Sequence, residues 1–255
     1  MSRVVLITGG TGKIGSQLVK HFLNKNFKVV FTAKDAADRD GFFHKIIADK
    51  ISSEKLFGVD IDLCLKDSAK KICLFLNEKK LSPTDFIHCA RNVEYLKTDD
   101  KGVISRENWL GELLLDVVVP YELVMAFLTE EHVKLKNIIN ISSMYGVVPF
   151  NPNLYNEPLF DSPINYSVAK AAQIHLTKEL SIRLAKQDIK VNSISYGGVE
   201  GRVDDSFKER YSRLCPLGRM LKDEEVVGAV DFLLSDAAIG ILGHNLIVDG
   251  GWSVW

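Results

Sequence analysis

Long hydrophobic runs are missing from this chain, and so is any block of like charge. No apolar stretch reaches the roughly 20 residues that a membrane-spanning helix needs, so the sequence argues against a membrane protein. The 32 basic and 33 acidic residues give a formal net charge of −1 and are scattered, so nothing asks for a nucleic-acid partner. Cysteine is scarce as well. Cys64, Cys73, Cys89 and Cys215 show no C-x-x-C spacing and no cluster with histidine, so no metal site is expected and the four read as reduced, mostly buried thiols. No repeat or low-complexity segment occurs. The first strand-like run begins near Arg3, with no room for a signal peptide ahead of it, and a soluble cytoplasmic protein is the expectation.

What is present is a chain of 255 residues, 46% hydrophobic and 25% charged, enough for one sizeable core and a single domain over 1–255. Short β-branched runs occur at Val4–Thr8, Val29–Thr32, Phe57–Val59, Phe86–Cys89, Asn137–Ser142, Val191–Ser195 and Leu246–Val248. Helical patterns at Ile14–Leu23, Ser68–Asn77, Trp109–Leu128, Asn165–Ala185 and Glu224–Leu234 fall between most of them. This alternation predicts an α/β fold, a doubly wound parallel sheet of about seven strands with helices on both faces. Lys97–Ser105, Val148–Pro163 and Gly197–Cys215 look least regular, and loops that long are usually functional.

Val4-Val-Leu-Ile-Thr8-Gly9-Gly10-Thr11-Gly12-Lys13-Ile14-Gly15 reads as a buried strand turning directly into a helix. Glycines let the backbone approach a pyrophosphate, whose charge meets the unpaired N–H groups of the helix N-terminus. Farther on, Tyr166 and Lys170 stand four residues apart on a helical pattern, on one face. A fixed cation favours the phenolate, so such a pair can pass a proton near neutral pH.

In this order and context the whole chain resembles a short-chain dehydrogenase/reductase. Thr8, Gly9, Gly12 and Gly15 have the spacing of the extended branch. The short length and the run Pro216-Leu-Gly-Arg219 to Val248-Asp-Gly-Gly251 resemble the classical branch, which makes this a divergent classical member with a Rossmann-type sheet. Asn140-Ile-Ser-Ser143 is similar to the strand that carries the family's catalytic serine, and Val191-Asn-Ser-Ile-Ser-Tyr-Gly197 to its sixth strand and cofactor loop.

The resemblance implies three catalytic side chains. Tyr166 would exchange a proton with the substrate oxygen. Lys170 would lower the tyrosine pKa and hold the nicotinamide ribose. Ser143, in preference to Ser142, would hydrogen-bond the reacting oxygen. It implies cofactor contacts from Gly9, Thr11, Gly12, Lys13, Ile14 and Gly15, from Lys34, Asp60, Ile61, Ala90 and Arg91, from Tyr166 and Lys170, and from Gly197 and Val199.

Departures from the family pattern surround this site. His88-Cys89-Ala90-Arg91 stands where the family has N-N-A-G: His88 reads as a strand-end hydrogen-bonding substitute, and Arg91 either contacts a phosphate or charged substrate or points to solvent. Asp116 falls where the family has an asparagine that kinks a helix and serves the proton relay. A buried carboxylate there would either pair with Lys170 or take up a proton. Tyr196 replaces the proline of the cofactor loop.

After the second strand, Ala33 and Lys34 hold the place where an acid would bind the ribose hydroxyls of NAD. With Lys13 also able to reach, NADP(H) is favoured; a shift of register would let Asp35 serve NAD(H). Substrate loops are expected at about 144–163 and 197–215. The first holds Tyr145, Phe150, Asn151, Asn153, Tyr155, Asn156, Glu157, Phe160 and Asp161, suited to stacking on a sugar ring and bonding its hydroxyls. Its ends look similar to enzymes of bacterial surface-sugar pathways such as flagellin modification. Arg202, Lys208, Arg210 and Arg213 in the second read either as an anion site or as a solvated face.

The sequence therefore points to an NAD(P)-dependent oxidoreductase that interconverts a hydroxyl and a keto group on a polar, sugar-derived small molecule. The alternatives are a dehydratase or epimerase with tightly held cofactor and a catalytically impaired regulatory homologue. Trp252 and Trp255 close an apolar C-terminal run that needs a cover, either the subunit's own sheet or a partner, and a homotetramer or dimer is expected.

Overall fold

A computed structural model describes residues 3–201 and 203–254. The elements are β1 (Val4–Thr8), α1 (Lys13–Asn24), β2 (Lys28–Ala33), α2 (Ala36–Ala48), β3 (Leu56–Asp60), α3 (Ser68–Glu78), β4 (Asp85–His88), α4 (Arg106–Leu113), α5 (Val119–Thr129), β5 (Asn137–Ser143), α6 (Pro158–Asp161), α7 (Ile164–Leu184), β6 (Lys190–Tyr196), α8 (Asp205–Leu214), α9 (Val226–Leu233) and β7 (Asn245–Val248). The seven strands form one sheet in the order β3-β2-β1-β4-β5-β6-β7, with every neighbouring pair parallel.

Alternation along the strands sends side chains to two cores. Val4, Leu6, Phe86, Ile138 and Val191 meet α3, α5 and α7 on one face. Val5, Ile7, Ile87, Ile139 and Ile194 meet α1, α2 and α9 on the other. Chain order reverses between β1 and β4, and in such sheets the crevice at that switch, beyond the carboxyl ends of the strands, is where ligands bind.

Three helices went unread in the sequence. α2 buries only Phe42 and Ile46, so its apolar signal is weak; α6 is a single short turn inside the segment read as irregular at 148–163; and α8 occupies about half of the segment read as an irregular loop at 197–215. The stretch read as one helix over Trp109–Leu128 is α4 and α5 joined through a π-helical turn at Leu114–Val118. All four cysteines are free, with Cys73 and Cys215 buried and Cys64 and Cys89 half-buried. Trp252 is buried and stacks on Tyr211, ring centroids 4.7 Å apart, so the subunit itself covers it; Trp255 lies outside the described residues.

Candidate active site

The glycine turn between β1 and α1 is built for close approach. Gly9 has φ +64°, and a side chain there would run into the Ala90 backbone; a Cβ on Gly15 would lie 2.2 Å from the Gly9 carbonyl oxygen. α1 begins at Lys13 with no side-chain cap, which leaves first-turn N–H groups for an anion. The chemistry of this cradle, close backbone approach and free N–H groups, fits a dinucleotide pyrophosphate.

Around the turn the expected cofactor residues divide. Lys34 follows β2 directly, and its backbone N–H donates to Asp38 Oδ2 at 3.3 Å, an oxygen that also takes the Thr11 hydroxyl at 2.7 Å. Asp60 ends β3 and is bonded to Arg39, while buried Ile61 donates its N–H to the Ala33 carbonyl at 2.9 Å. The Lys13 ammonium pairs with Asp223 at 2.7 Å and sits where a Cβ on Gly201 would be, beside the β6–α8 loop. In that loop the Gly197 N–H donates to the Val248 carbonyl at 2.9 Å, and Val199 bridges to Leu221. Tyr196, in place of a proline, is buried against α9 and donates its hydroxyl to the Val226 carbonyl, so it is a core residue.

Tyr166 and Lys170 lie on α7, which packs against β5. The two serines at the end of β5 have different work. The Ser142 hydroxyl donates to the Lys170 carbonyl at 3.1 Å and pins the helix to the strand. Ser143 Oγ accepts the Tyr145 N–H at 3.2 Å, so its own proton remains for an outside acceptor, in agreement with the choice of Ser143. The Tyr166 ring lies between two cations: the Arg91 guanidinium is 4.7 Å from its centroid and the Lys170 ammonium 5.8 Å. Arg91 is exposed, yet it faces the tyrosine rather than open solvent.

Behind the ring, Lys170 is buried and its three N–H donors all have acceptors: Asp116 Oδ1 at 2.9 Å, the Ile141 carbonyl at 3.0 Å and Gln173 Oε1 at 3.4 Å. Of the two fates read for Asp116, the geometry shows the ion pair. Burial pulls Lys170 down, but Asp116 and the other acids around it outweigh burial and hold it above the usual lysine value. Burial pushes Asp116 up against the pull of Lys170.

The helix opens at this point into its π-turn, and the freed carbonyls are claimed. Gln173 Nε2 donates to the Asp116 carbonyl at 3.0 Å, and His88 Nε2 lies 3.0 Å from the Leu115 carbonyl. Thr8 Oγ1 accepts the Cys89 and Ala90 N–H groups and lies 3.0 Å from His88 Nδ1, so its one proton goes to Nδ1 and the histidine carries its own on Nε2. Burial pulls His88 down to about 3, which keeps it neutral. It is the strand-end hydrogen-bonding residue that the sequence suggested.

Glu112 was not singled out in the sequence. It is 1% exposed, one turn before Asp116, and neither of its carboxyl oxygens has a hydrogen-bond partner among the described residues. Burial first, then the Asp116 charge, pushes it up to about 7. The one available signal was its spacing of four from Asp116.

The segments 144–163 and 197–215 pack on each other. Rings run from Phe150 to Tyr155, Phe207, Tyr211 and Trp252, with centroid separations of 6.1, 5.9, 6.5 and 4.7 Å. The Tyr145 and Tyr155 hydroxyls are 2.7 Å apart, and Arg210 Nε donates to the Leu154 carbonyl at 2.7 Å. Asn151 and Asp161 accept N–H groups of their own turns. Much of the inventory read as sugar-facing thus closes α8 onto the loop. Arg213 and Lys208 pair with Glu209 and Asp205, the solvated-face reading, and Arg202 lies outside the described residues.

Comparison with known proteins places these features in a wider set. A family model described as enoyl-(acyl carrier protein) reductase matches residues 11–253. Post-translational flagellin modification protein A of Campylobacter coli is 27% identical, with 99% of each chain covered. The NADH-dependent L-xylulose reductase of Ambrosiozyma monospora is 26% identical over 99% of this chain and 95% of its own. A short-chain dehydrogenase of Leptospira borgpetersenii, solved with bound NAD+, superposes with a TM-score of 0.83 at 30% identity, covering 99% of this chain and 93% of that one.

Proposed function

The chain belongs to the short-chain dehydrogenase/reductase family and is an NAD(P)-dependent oxidoreductase, and on that premise we propose that it interconverts a hydroxyl and a keto group on a polar, sugar-derived substrate. The observation that carries this reading is the Tyr166 phenol set between Lys170 and Arg91, with the free proton of Ser143 at the end of β5. Bound nicotinamide would supply or accept the hydride. In the reducing direction Tyr166 gives its proton to the carbonyl oxygen while Ser143 donates a hydrogen bond to the same atom; the oxidising direction reverses both. Lys170 holds positive charge behind the ring and stabilises the phenolate that forms. To reach ribose hydroxyls it must release one acceptor, and Gln173 at 3.4 Å is the longest-held.

The sugar assignment is supported by relatives whose names mention flagellin modification and L-xylulose. NADP(H) is our preferred cofactor because Ala33, not an acid, ends β2 and Lys34 follows. Asp38, clasped by Thr11, is the opposing charge. A homo-oligomer, tetramer or dimer, is supported by exposed Leu110, Tyr121 and Met125 along α4 and α5 and by Ile164 and Ile182 on α7. Light scattering that shows a monomer at micromolar concentration would remove that part.

The test is a screen of free and nucleotide-linked keto sugars, following NADPH and NADH absorbance, beside fluorescence titration of both cofactors. Turnover of a keto sugar with tighter NADPH binding is the expected result. Failure of both cofactors to bind would end the reading.

A further inference from the structure

Two carboxyl groups and one ammonium are shut away together behind Tyr166. Glu112 is 1% exposed, Asp116 1% and Lys170 4%. Spacing by four puts both acids on one helix face, and α4 and the π-turn pack on α7, which carries Lys170. Lys170 reaches only Asp116 Oδ1 among the four carboxyl oxygens. Glu112 Oε1, Glu112 Oε2 and Asp116 Oδ2 have no partner among the described residues.

Two carboxylates facing one ammonium would leave a buried net negative charge with three bare oxygens, an arrangement that burial strongly disfavours. A single added proton removes the excess charge and supplies a donor for a neighbouring bare oxygen. Gln173 cannot supply that donor, because its amide nitrogen is committed to the Asp116 carbonyl.

We propose that Glu112 and Asp116 hold one proton between them behind Lys170, and that Glu112 is the residue that carries it, a positioning residue that sets the charge facing Lys170. Lys170 keeps Asp116 ionised through the 2.9 Å contact, which leaves the proton to Glu112. Among the other groups around Glu112, Arg91, from the turn after β4, opposes this, since its charge favours the ionised form, but it is exposed and counts for less than burial and Asp116. Cys64 comes from the segment after β3; burial pushes its thiol up, so it is neutral, with the Tyr95 hydroxyl 3.6 Å away. Tyr95 itself packs its ring against Gly111. With burial and Asp116 against it, Glu112 is placed at about 7, where it exchanges its proton in the neutral range.

This inference rests on Lys170 as a cofactor contact. When an anionic dinucleotide binds beside Lys170, negative charge on Glu112 opposes it. Binding is therefore accompanied by proton uptake at Glu112 and weakens as pH rises through about 7. A single proton limits the slope to about tenfold per pH unit.

Two measurements on the full-length protein test it. In wild type labelled with carboxyl-13C glutamate, one side chain should titrate near pH 7, and Glu112→Gln should abolish that resonance. NADPH titrated at pH 6 and pH 8 should bind wild type several-fold more weakly at pH 8, lose that dependence in Glu112→Gln and regain it in Glu112→Asp. If no glutamate of the wild type titrates above pH 6, the shared proton is overturned without recourse to any variant. If the pH dependence of binding survives in Glu112→Gln, the coupling to Lys170 is overturned. A protein that binds neither NADPH nor NADH contradicts the proposed function, while the labelled titration still decides the protonation of Glu112.

Discussion

Each end of the sheet holds a buried aspartate against a cation, and the two pairs are finished differently. At the amino ends, Asp85 is fully buried. Its Oδ1 takes Arg3 at 2.9 Å and Asn137 at 2.6 Å, and its Oδ2 takes Arg3 at 2.7 Å and Thr84 at 2.8 Å. Arg3 also donates to the Leu234 carbonyl, so the cluster ties β1, β4, β5 and the end of α9 together. At the carboxyl ends, Asp116 satisfies Lys170 through one oxygen, leaves the other bare, and has the bare Glu112 beside it. A buried carboxylate with both oxygens paired fixes structure, whereas one with an orphan oxygen and a shared proton can respond to a ligand.

The contrast can be pressed by mutation, the largest effect coming from the chemistry itself. Tyr166→Phe removes only the exchangeable proton; turnover on a keto sugar from the screen should fall by about 10²–10⁴-fold, with thermal midpoint and NADPH affinity unchanged. Survival of activity within a few-fold would break the proton-transfer assignment. Asp85→Ala should cost about 2–3 kcal/mol of stability, the scale of losing hydrogen bonds to a charged group, measured by denaturant unfolding, while turnover per folded molecule stays at the wild-type level.

A smaller effect is a pH slope. Glu112 sits near 7 in the folded protein against an ordinary value of 4.5. Between those values only the folded state holds the proton, so the Glu112 contribution to stability is full below about 4.5 and is lost as pH rises to about 7. Neutral His88, held at about 3, contributes with the opposite slope up to about 6.5 in both proteins, so the Glu112 effect is read as the difference: from pH 5 to 8 the wild-type thermal midpoint should fall relative to that of Glu112→Gln. The smallest effect belongs to Lys34→Ala, which should weaken NADPH several-fold and NADH hardly at all; equal losses would remove the 2′-phosphate argument.

Much of this was open to sequence reading because the relevant signals are local. β-branched runs located all seven strands within a residue or two; the glycine turn and the Tyr166–Lys170 pair stood out by spacing and order, and Ser143 was picked out by its resemblance to the family's serine strand. α2 escaped because a helix lying over a sheet edge buries only two side chains. The pairing of Lys13 with Asp223 was not legible, because the two are distant in sequence and only the folded chain brings them together. Glu112 escaped for a different reason. A glutamate in a polar helix ordinarily faces water, and its burial depends on α7 and the β4 turn closing over it.

The most direct test sets Asp85→Asn beside Asp116→Asn and measures, for each, the thermal midpoint and the NADPH dissociation constant at pH 6 and pH 8. Asp85→Asn should lower the midpoint and leave the dissociation constant and its pH dependence as in wild type. Asp116→Asn should change the dissociation constant and its pH dependence with a smaller loss of midpoint, since Glu112 can then ionise and take over as counter-charge to Lys170. The reverse pattern, cofactor affinity lost at Asp85 and untouched at Asp116, would contradict the division between a structural and a responsive pair.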